Sequence, residues 1–375
     1  MFLNGKNLLG GKFVFWAKTP GLSFFLWALC LVLPFQGSRP FVGRDEHRYP
    51  EVAREMIQRG EFLVPYFQGH IHLTKPPFTY WAIALGYKIC GENPWGARLP
   101  NALAFAVTSA LVFLLGRELW DEERGKRAAL FYMAMLVPFA AANVVTTDTL
   151  LVMWETAAIW AFIKGFKERK KSWFVLMWVF WALAFMTKGT AIFPVAAGTF
   201  LFWWFKRKDH PSPFPPLGLF LFFLLALPWY LYVWLKIPGA LKTFWIEQIY
   251  GRLFSDTFHR NSKWYAPFYL YLPLLTFGAL PASLVWTKAL FRFSWERIRE
   301  KIREEALFFL LLQFGVPLVV FCLAKSRLPL YILPLFVPLA LFTARLLSSP
   351  GYLKFLLPWF FFLEVLKIAS VYWVR

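Results

Sequence analysis

The sequence has few charged residues, few acids and few cysteines. Only 17% of its 375 residues are charged, whereas a soluble domain has about 25%. Its 41 Lys and Arg outnumber its 21 Asp and Glu, which gives a net charge of +20. The three cysteines are scattered without metal-ligand spacing, so they predict neither a disulfide framework nor a zinc knuckle. These absences, together with 59% hydrophobic residues, exclude a soluble enzyme, a disordered chain and a fibrous protein.

Long apolar runs make up most of the chain, and the mean hydropathy is +0.50. A membrane-spanning helix needs about 20 mostly apolar residues. We therefore predict an all-α polytopic membrane protein with about eleven transmembrane helices. A further apolar segment, 76–91, is short and predicts a re-entrant or interfacial helix. The predicted spans are 20–36, 96–116, 127–144, 149–165, 172–187, 190–205, 217–235, 266–288, 306–324, 329–346 and 353–373.

The basic residues between these spans orient the chain. Lys and Arg in short loops favour the cytoplasmic side, which places the N-terminus inside. Several polar features then share the outer side, and ionisable groups at membrane depth tend to face a cavity or a partner. We therefore predict one shared cavity; the alternative is that each feature is an ordinary loop. These features are the first outer loop 38–93, Thr146–Asp148, Thr187–Gly189, the second outer loop 236–265 and Lys325–Arg327.

The first outer loop begins with a predicted surface helix. Carboxylates at 45 and 46 suit a helix N-terminus, an apolar stripe with helical spacing follows, and Gly60 suits the C′ position. Asp45 and Arg48 are three residues apart and share one face. They predict either a functional carboxylate and its cation or only a helix-capping ion pair.

Lys75 precedes two prolines, which prevent a helix at that point. The lysine is therefore presented on a stiff loop above apolar residues. An ammonium fixed at the bilayer edge would suit a lipid-linked phosphate, whereas a snorkelling interfacial lysine is the alternative.

Six motifs occur together in order along nearly the whole chain. They are GRDEHRYPEVAREM from residue 43, KPP at 75–77, WGARLPN at 95–101, TTD at 146–148, MTKG at 186–189 and KSRLPLYILPLFVPLAL at 325–341. With these motifs the chain resembles glycosyltransferase family 83, the lipid A aminoarabinose transferases. That family is related to the dolichyl-phosphate-mannose–protein mannosyltransferases.

The resemblance implies a GT-C-type fold with juxtamembrane helices on the outer face. It implies a multi-pass enzyme of the bacterial inner membrane whose active site faces the periplasm. The expected donor is a polyprenyl (undecaprenyl) phosphate sugar, and the expected acceptor is lipid A or another glycolipid. No nucleic acid partner is expected, and the lack of a G-x-G-x-x-G or P-loop motif agrees with a donor that is not a nucleotide sugar.

The same resemblance assigns roles to individual residues. Asp45 and Asp148 are expected to be the catalytic carboxylates. Basic or polar groups are expected to bind the donor phosphate, and further residues are expected to line the cavity. The phosphate-binding set is Arg48, Lys75, Lys188, Lys325, Arg327 and Tyr331, and the additional cavity residues are Glu46, Tyr49, Glu247 and Arg252.

The chain departs from the family pattern in two ways. Thr74 stands where the family often has a glutamate that helps to bind a divalent metal, although His259 matches a histidine ligand and His70 and His72 lie nearby. A metal (Zn, Mg or Mn) is therefore left open. The family also carries a soluble domain after its last spans, whereas we expect residues 1–375 to form a single transmembrane domain without one. A monomer is expected.

Two other functions compete with this interpretation. A flippase or transporter of a polyprenyl-linked sugar would often show internal repeats and charges near mid-membrane, and neither is evident. A protein O-mannosyltransferase-like enzyme would share the donor chemistry but not the acceptor. The residues leave the identity of the sugar and the acceptor open.

Overall fold

The computed structural model describes residues 20–251, 255, 258–290, 304–347 and 351–373. Most of these residues are helical, and one two-stranded antiparallel sheet pairs β1 (Tyr66–Phe67) with β2 (His70–Ile71). Two 3₁₀ turns, Gly189–Ile192 and Pro329–Leu335, and a π-helical segment, Thr243–Tyr250, interrupt the α-helices. The α-helices are α1 Pro20–Val32, α2 Gly43–Arg59, α3 Phe78–Cys90, α4 Pro94–Leu119, α5 Glu122–Ala134, α6 Leu136–Ala142, α7 Thr147–Glu168, α8 Lys171–Lys188, α9 Phe193–Lys206, α10 Pro216–Lys236, α11 Ala240–Lys242, α12 Ala266–Thr276, α13 Ala282–Leu290, α14 Glu305–Leu323, α15 Phe336–Leu346 and α16 Tyr352–Trp373.

Within these residues, six helical segments are long and apolar enough to cross a membrane. The predicted all-α polytopic architecture is therefore confirmed, whereas the number eleven stays a prediction. The longest segment, Lys171–Lys206, is interrupted at Gly189, whose φ of 61° lies outside the helical region. The six segments are Pro94–Leu119, Thr147–Glu168, Lys171–Lys206, Pro216–Lys236, Glu305–Leu323 and Pro329–Leu346.

The helices differ in how they are surrounded. Helix α7 packs against both α4 and α8 and is mostly buried. Helix α10 packs on α8 but leaves a row of large apolar side chains exposed, including Phe220, Phe223 and Trp234. An apolar surface of this size is a liability in water but suits contact with lipid. Helix α10 therefore belongs to the lipid-facing surface, and α7 belongs to the interior.

Two predicted spans are broken by proline. A helix continuing through Pro138 would lose the hydrogen bond to the carbonyl of Ala134, and the proline ring would clash there. The chain is instead extended at Met135, and the indole of Trp359 donates to the freed Ala134 carbonyl at 2.8 Å. The predicted span 266–288 is likewise two helices, α12 and α13, with Pro281 before the second.

The surface helix α2 has the predicted form. It starts with Asp45 and Glu46 in its first turn and ends at Gly60, which adopts a left-handed conformation (φ 65°). Its apolar side, including Tyr49, Val52 and Met56, is buried against α3.

Helix α3 in turn crosses close to the start of α4. A Cβ at Gly86 would lie 2.2 Å from the carbonyl oxygen of Gly96, so only glycine allows this approach. The crossing holds the pair α2–α3 beside the N-terminal turns of α4.

Candidate active site

A cavity of about 590 Å³ lies where parts of both outer loops meet the ends of α7 and α8. Four of the polar features predicted to share the outer side contribute to one cavity, through the first loop, Thr146–Asp148, Lys188 and the second loop. Lys325–Arg327 does not line it, although the next segment, Leu328–Tyr331, does. Its lining residues are Arg44, Asp45, Arg48, Tyr49, His72, Thr74, Lys75, Thr146, Thr147, Asp148, Lys188, Phe258, Arg260 and Leu328–Tyr331.

Asp45 is the exposed carboxylate of the cavity. It accepts a hydrogen bond from Arg48 Nη2 at 2.5 Å, and its side chain is 46% exposed. The same guanidinium nitrogen lies 3.3 Å from the hydroxyl of Tyr49. Burial raises the pKa of the Tyr49 hydroxyl, so this group stays protonated at neutral pH. Both Asp45 and Arg48 come from one helix, and their geometry is set locally.

Asp148 is the enclosed carboxylate. Its partner Lys188 comes from the end of α8, and the side chains of both residues are largely buried, at 11% and 6% exposure. Thr146 caps α7 by accepting from the Asp148 amide at 3.2 Å, and its hydroxyl donates to Asp148 Oδ2 at 3.0 Å. The Lys188 ammonium also lies 4.6 Å from the centre of the Tyr331 ring. Asp148 and Lys188 are thus fixed by several elements.

Lys75 and His72 approach the cavity from the first outer loop. Lys75 is buried just before the two prolines, and the His72 ring nitrogen Nε2 is 2.7 Å from the Thr74 hydroxyl. Burial, together with the neighbouring charges of Arg48, Lys75 and Arg44, lowers the pKa of His72 to about 4. His72 is therefore neutral at pH 7 and can exchange a hydrogen bond without adding charge.

The cavity carries a surplus of positive charge. Arg44, Arg48, Lys75, Lys188 and Arg260 are five cations, whereas Asp45 and Asp148 are two acids. With His72 neutral, the formal surplus among the described lining residues is three positive charges. Desolvated Arg and Lys groups bind phosphate and carboxylate through charge-assisted hydrogen bonds. The arrangement therefore favours an anionic ligand.

Part of the cavity lining is apolar. Phe258 and the segment Leu328–Leu330 contribute to its lining beside the cations. A ligand with an anionic head and an apolar tail would find complementary surface for both parts.

Two residues predicted to bind phosphate do not line this cavity. Arg327 is buried and donates to the carbonyl oxygens of Asn261, Lys263 and Cys322 at 2.6–2.9 Å. These contacts tie the second outer loop to the stretch before Tyr331, so Arg327 places Arg260 rather than contacting a ligand. Lys325 is exposed outside the cavity.

Glu46 also differs from its prediction as a cavity residue. Successive helical residues point about 100° apart, so Glu46 is directed inward when Asp45 faces the cavity. It forms an ion pair with Arg98, with Oε1 2.8 Å from Arg98 Nε, and both side chains are almost fully buried.

The predicted metal ligands do not come together. His259 lines a separate pocket with Asn261, Lys263 and Tyr265, and Thr74 supplies no carboxylate. In the described part of the chain, no group of three His, Cys, Asp or Glu side chains has a metal-binding arrangement. These residues do not fit a metal centre. Arg252 and the side chain of Glu247, both predicted to line the cavity, lie outside the described residues.

Sequence reasoning missed two cations of the cavity. Arg44 lies four residues before Arg48, on the same face of α2, and this spacing could have identified it. Arg260 carries no such signal, because its position depends on the contacts that Arg327 makes with the second loop.

The sequence is similar to characterised transferases. Residues 74–232 match the model of the family described as dolichyl-phosphate-mannose-protein mannosyltransferase. The chain is 33% identical over 326 residues to the undecaprenyl phosphate-alpha-4-amino-4-deoxy-L-arabinose arabinosyl transferase of Yersinia pestis (strain Pestoides F). This match covers 85% of the chain and 57% of the relative, so the chain spans little more than half of that protein.

Two solved structures share the fold. ArnT from Cupriavidus metallidurans, bound to undecaprenyl phosphate, superposes with a TM-score of 0.75 at 23% identity, covering 90% of this chain and 62% of ArnT. The oligosaccharyltransferase AglB from Archaeoglobus fulgidus, in complex with an inhibitory peptide and a dolichol-phosphate, gives a TM-score of 0.51 at 12% identity, covering 96% of this chain and 56% of AglB. These similarities show a GT-C-type fold.

Proposed function

This chain is a homologue of the aminoarabinose transferases of glycosyltransferase family 83 with a GT-C-type membrane fold, and on that premise we propose its reaction. It transfers a sugar from undecaprenyl phosphate to a lipid acceptor such as lipid A. The observation that carries this proposal is the cavity whose described lining combines five cations and two carboxylates with apolar residues. A polyprenyl-phosphate sugar has the matching anionic head and apolar tail.

The donor phosphate binds among Arg48, Lys75 and Lys188. Arg44 and Arg260 lie in the same cavity and add to the positive field. Tyr331 supports the site by placing its ring against the Lys188 ammonium. The polyprenyl chain leaves along Phe258 and Leu328–Leu330 toward the bilayer.

The reaction exchanges one bond at the anomeric carbon. An acceptor oxygen forms a bond to that carbon while the bond to the phosphate oxygen breaks, and the leaving undecaprenyl phosphate keeps the electron pair. Because negative charge grows on the leaving phosphate, cations that tighten on it stabilise the transition state. The surplus of positive charge in the cavity serves this step.

Asp45 is the proposed base. Its exposed carboxylate can accept the proton of an acceptor hydroxyl. If the acceptor is a phosphate, no proton has to be removed, and Asp45 orients the sugar or acceptor instead. Asp148 is the second functional acid; its carboxylate holds Lys188 in place and can accept hydrogen bonds from the sugar hydroxyls.

We place this reaction on the periplasmic face of the inner membrane. The support is the distribution of Lys and Arg, which puts the basic short loops on the opposite side from the cavity. The acceptor is then a glycolipid of the outer leaflet.

A transfer assay tests the proposal. The protein in liposomes receives radiolabelled undecaprenyl phosphate-linked sugars, aminoarabinose first, with lipid A or total lipid as acceptor. We expect label in the acceptor lipid and at least a 100-fold loss in Asp45→Asn. Lys75→Ala should also lose transfer.

Matched controls are available in the same outer loop. Glu51 and Arg54 form a second i,i+3 pair on α2, away from the cavity, so Glu51→Gln should leave transfer unchanged. Lys88 is exposed outside the cavity, and Lys88→Ala controls for Lys75→Ala. Label in protein rather than lipid would change the acceptor to a polypeptide. Donor that crosses the bilayer unreacted, with Asp45→Asn indistinguishable from the unaltered protein, would contradict the transferase and favour a flippase.

A further inference from the structure

The WGARLPN motif at the start of α4 contains a buried arginine whose donors are all used. Arg98 donates from Nε and Nη2 to the two carboxylate oxygens of Glu46, at 2.8 and 3.0 Å. Its remaining three N–H groups bond the carbonyl oxygens of Gln36, Arg39 and Pro40 at 2.6–3.0 Å. The rigid guanidinium therefore fixes the linker between α1 and α2 against α4.

The carboxylate of Glu46 continues this network on the other side. Its Oε2 accepts from the amide of Val42, at the N-terminus of α2, at 2.9 Å. Its Oε1 accepts from the amide of Val145 at 2.8 Å. Val145 is separated from Asp148 by only two residues. One carboxylate thus joins the beginning of α2 to the beginning of α7.

Asn101 adds a second connection to the same place. It lies one helical turn after Arg98 on α4, is fully buried, and donates from Nδ2 to the carbonyl oxygen of Thr146 at 2.8 Å. Thr146 is the residue whose hydroxyl holds the Asp148 carboxylate. Helix α4 therefore holds the α7 cap through Asn101 and the start of α2 through Arg98.

The two cavity carboxylates are the immediate neighbours of this network. Asp45 is adjacent to Glu46 in sequence. Glu46 holds Val145 and Asn101 holds Thr146, which lie three and two residues before Asp148. A buried ion pair contributes little net stability compared with apolar residues of the same volume. What Arg98 and Glu46 provide is fixed geometry, because every N–H group of the arginine has one assigned acceptor.

We propose that the Arg98–Glu46 ion pair, with Asn101, is a positioning unit that sets the distance between the Asp45 and Asp148 carboxylates across the cavity. This inference rests on the proposed function, in which both acids act on one donor–acceptor complex. Neither Arg98 nor Asn101 lines the cavity, so they act only through these acids. Displacement of a reacting group by about 1 Å can lower a rate about 100-fold.

The test compares conservative variants by their rate per folded molecule. Arg98→Lys keeps the buried charge, but one ammonium cannot satisfy five acceptors. Asn101→Ala removes only the connection to Thr146. The control is Thr199→Val, which removes an equally buried 2.8 Å hydrogen bond from Gln313, between α9 and α14. Transfer from labelled undecaprenyl phosphate aminoarabinose gives kcat and KM, and thermal unfolding gives the Tm.

A positioning role predicts that the change in kcat does not follow the change in Tm from one variant to the next. Arg98→Lys should lower kcat about 10- to 100-fold with a smaller change in the KM for the donor, and Asn101→Ala should lower kcat about threefold to tenfold, in proportion to its single connection. Thr199→Val should lower the Tm with unchanged kcat. In an Asp148→Asn background, Asn101→Ala should cause no further loss, because the group that it positions is already absent.

Several results would overturn the inference. If Arg98→Lys and Asn101→Ala lower the Tm but keep the unaltered kcat, the network is only structural. If Arg98→Lys does not fold, the kcat and Tm of Asn101→Ala alone decide between a positioning role and a purely structural one. If Asn101→Ala lowers kcat in the Asp148→Asn background as much as it does alone, Asn101 does not act by positioning Asp148. Absence of transfer by the unaltered protein would refute the proposed function and this inference with it.

Discussion

The two acid–base pairs of the cavity are built in opposite ways. Asp45 and Arg48 lie three residues apart on a surface helix, and the carboxylate is half exposed. Asp148 and Lys188 lie 40 residues apart on two packed helices, and both side chains are largely buried. The carboxylate of the first pair is accessible to solvent, whereas both side chains of the second pair are enclosed.

This difference suits the two carboxylates to different roles. Solvent and salt weaken the attraction between the half-exposed Asp45 carboxylate and Arg48, so Asp45 can exchange partners at a smaller cost than Asp148. Low-dielectric surroundings make the Asp148–Lys188 pair expensive to break. Asp45 is therefore suited to exchange partners during a reaction, and Asp148 is suited to hold a cation at a constant position.

The largest expected contrast is in stability. Asp148→Ala leaves the Lys188 ammonium buried without its carboxylate, which should lower the free energy of unfolding by about 3–5 kcal/mol. Asp45→Ala breaks a pair whose carboxylate is half exposed and whose arginine side chain is largely buried, so its cost should be clearly smaller than that of Asp148→Ala. Reversible unfolding in mixed micelles measures both. An equal decrease in the free energy of unfolding in the two variants would contradict the proposal that the two pairs contribute differently to stability.

A double variant sharpens the same contrast. Replacing both buried partners, as in Asp148→Ala with Lys188→Met, removes the uncompensated charge and should recover at least about 2 kcal/mol of the loss. Transfer activity should not recover, because Lys188 is a proposed phosphate ligand. The unfolding and transfer measurements are made on one preparation. A double variant as unstable as Asp148→Ala would show that Lys188 is not the source of the penalty.

The sequence was informative where structure is local. The α2 helix, its end at Gly60 and the shared face of Asp45 and Arg48 follow from spacing over a few residues. The apolar runs predicted the helices of the six segments that are long and apolar enough to cross a membrane, although they did not predict the break at Met135, where the helix cannot continue through Pro138.

Contacts between distant residues were not accessible in this way. Charge alone does not distinguish an arginine that faces a ligand from one that binds backbone carbonyls, as Arg327 does. Asp45 and Glu46 are equivalent as letters in a motif, and only the buried ion pair between Glu46 on α2 and Arg98 on α4 separates their roles. Arg98 gave one usable signal, which is a charged residue at the start of an otherwise apolar span.

A smaller effect is expected for Arg48, the cation that pairs with Asp45. Arg48→Met should raise the KM for the donor about 10- to 100-fold, since a hydrogen bond to a charged group contributes about 1.5–3 kcal/mol. Stability should change little. Arg54→Met, which breaks the exposed pair with Glu51 on the same helix, is the control. The proposal that Arg48 binds phosphate fails if both variants have the unaltered KM.

The smallest expected effect is the titration of His72. Its pKa is lowered from 6.5 to about 4 in the folded protein, so the unfolded chain binds more protons between these values. Stability should therefore fall as the pH decreases from 6.5 toward 4, and it should level off below 4 for this group. His72→Gln should weaken this dependence, seen as a flatter plot of Tm against pH.

His70 provides the matched control for this titration. It lies two residues earlier, in β2, and is exposed, so His70→Gln should retain the unaltered slope. Donor binding should reduce the slope as well, because a phosphate placed among Arg44, Arg48 and Lys75 cancels the charges that oppose protonation of His72. If the plots of Tm against pH are parallel for His72→Gln and the unaltered protein, groups other than His72 cause the loss of stability in acid. A slope that changes only when donor is present would assign the effect to the phosphate site formed by Arg44, Arg48 and Lys75, and would show that occupancy of this site controls the protonation of His72.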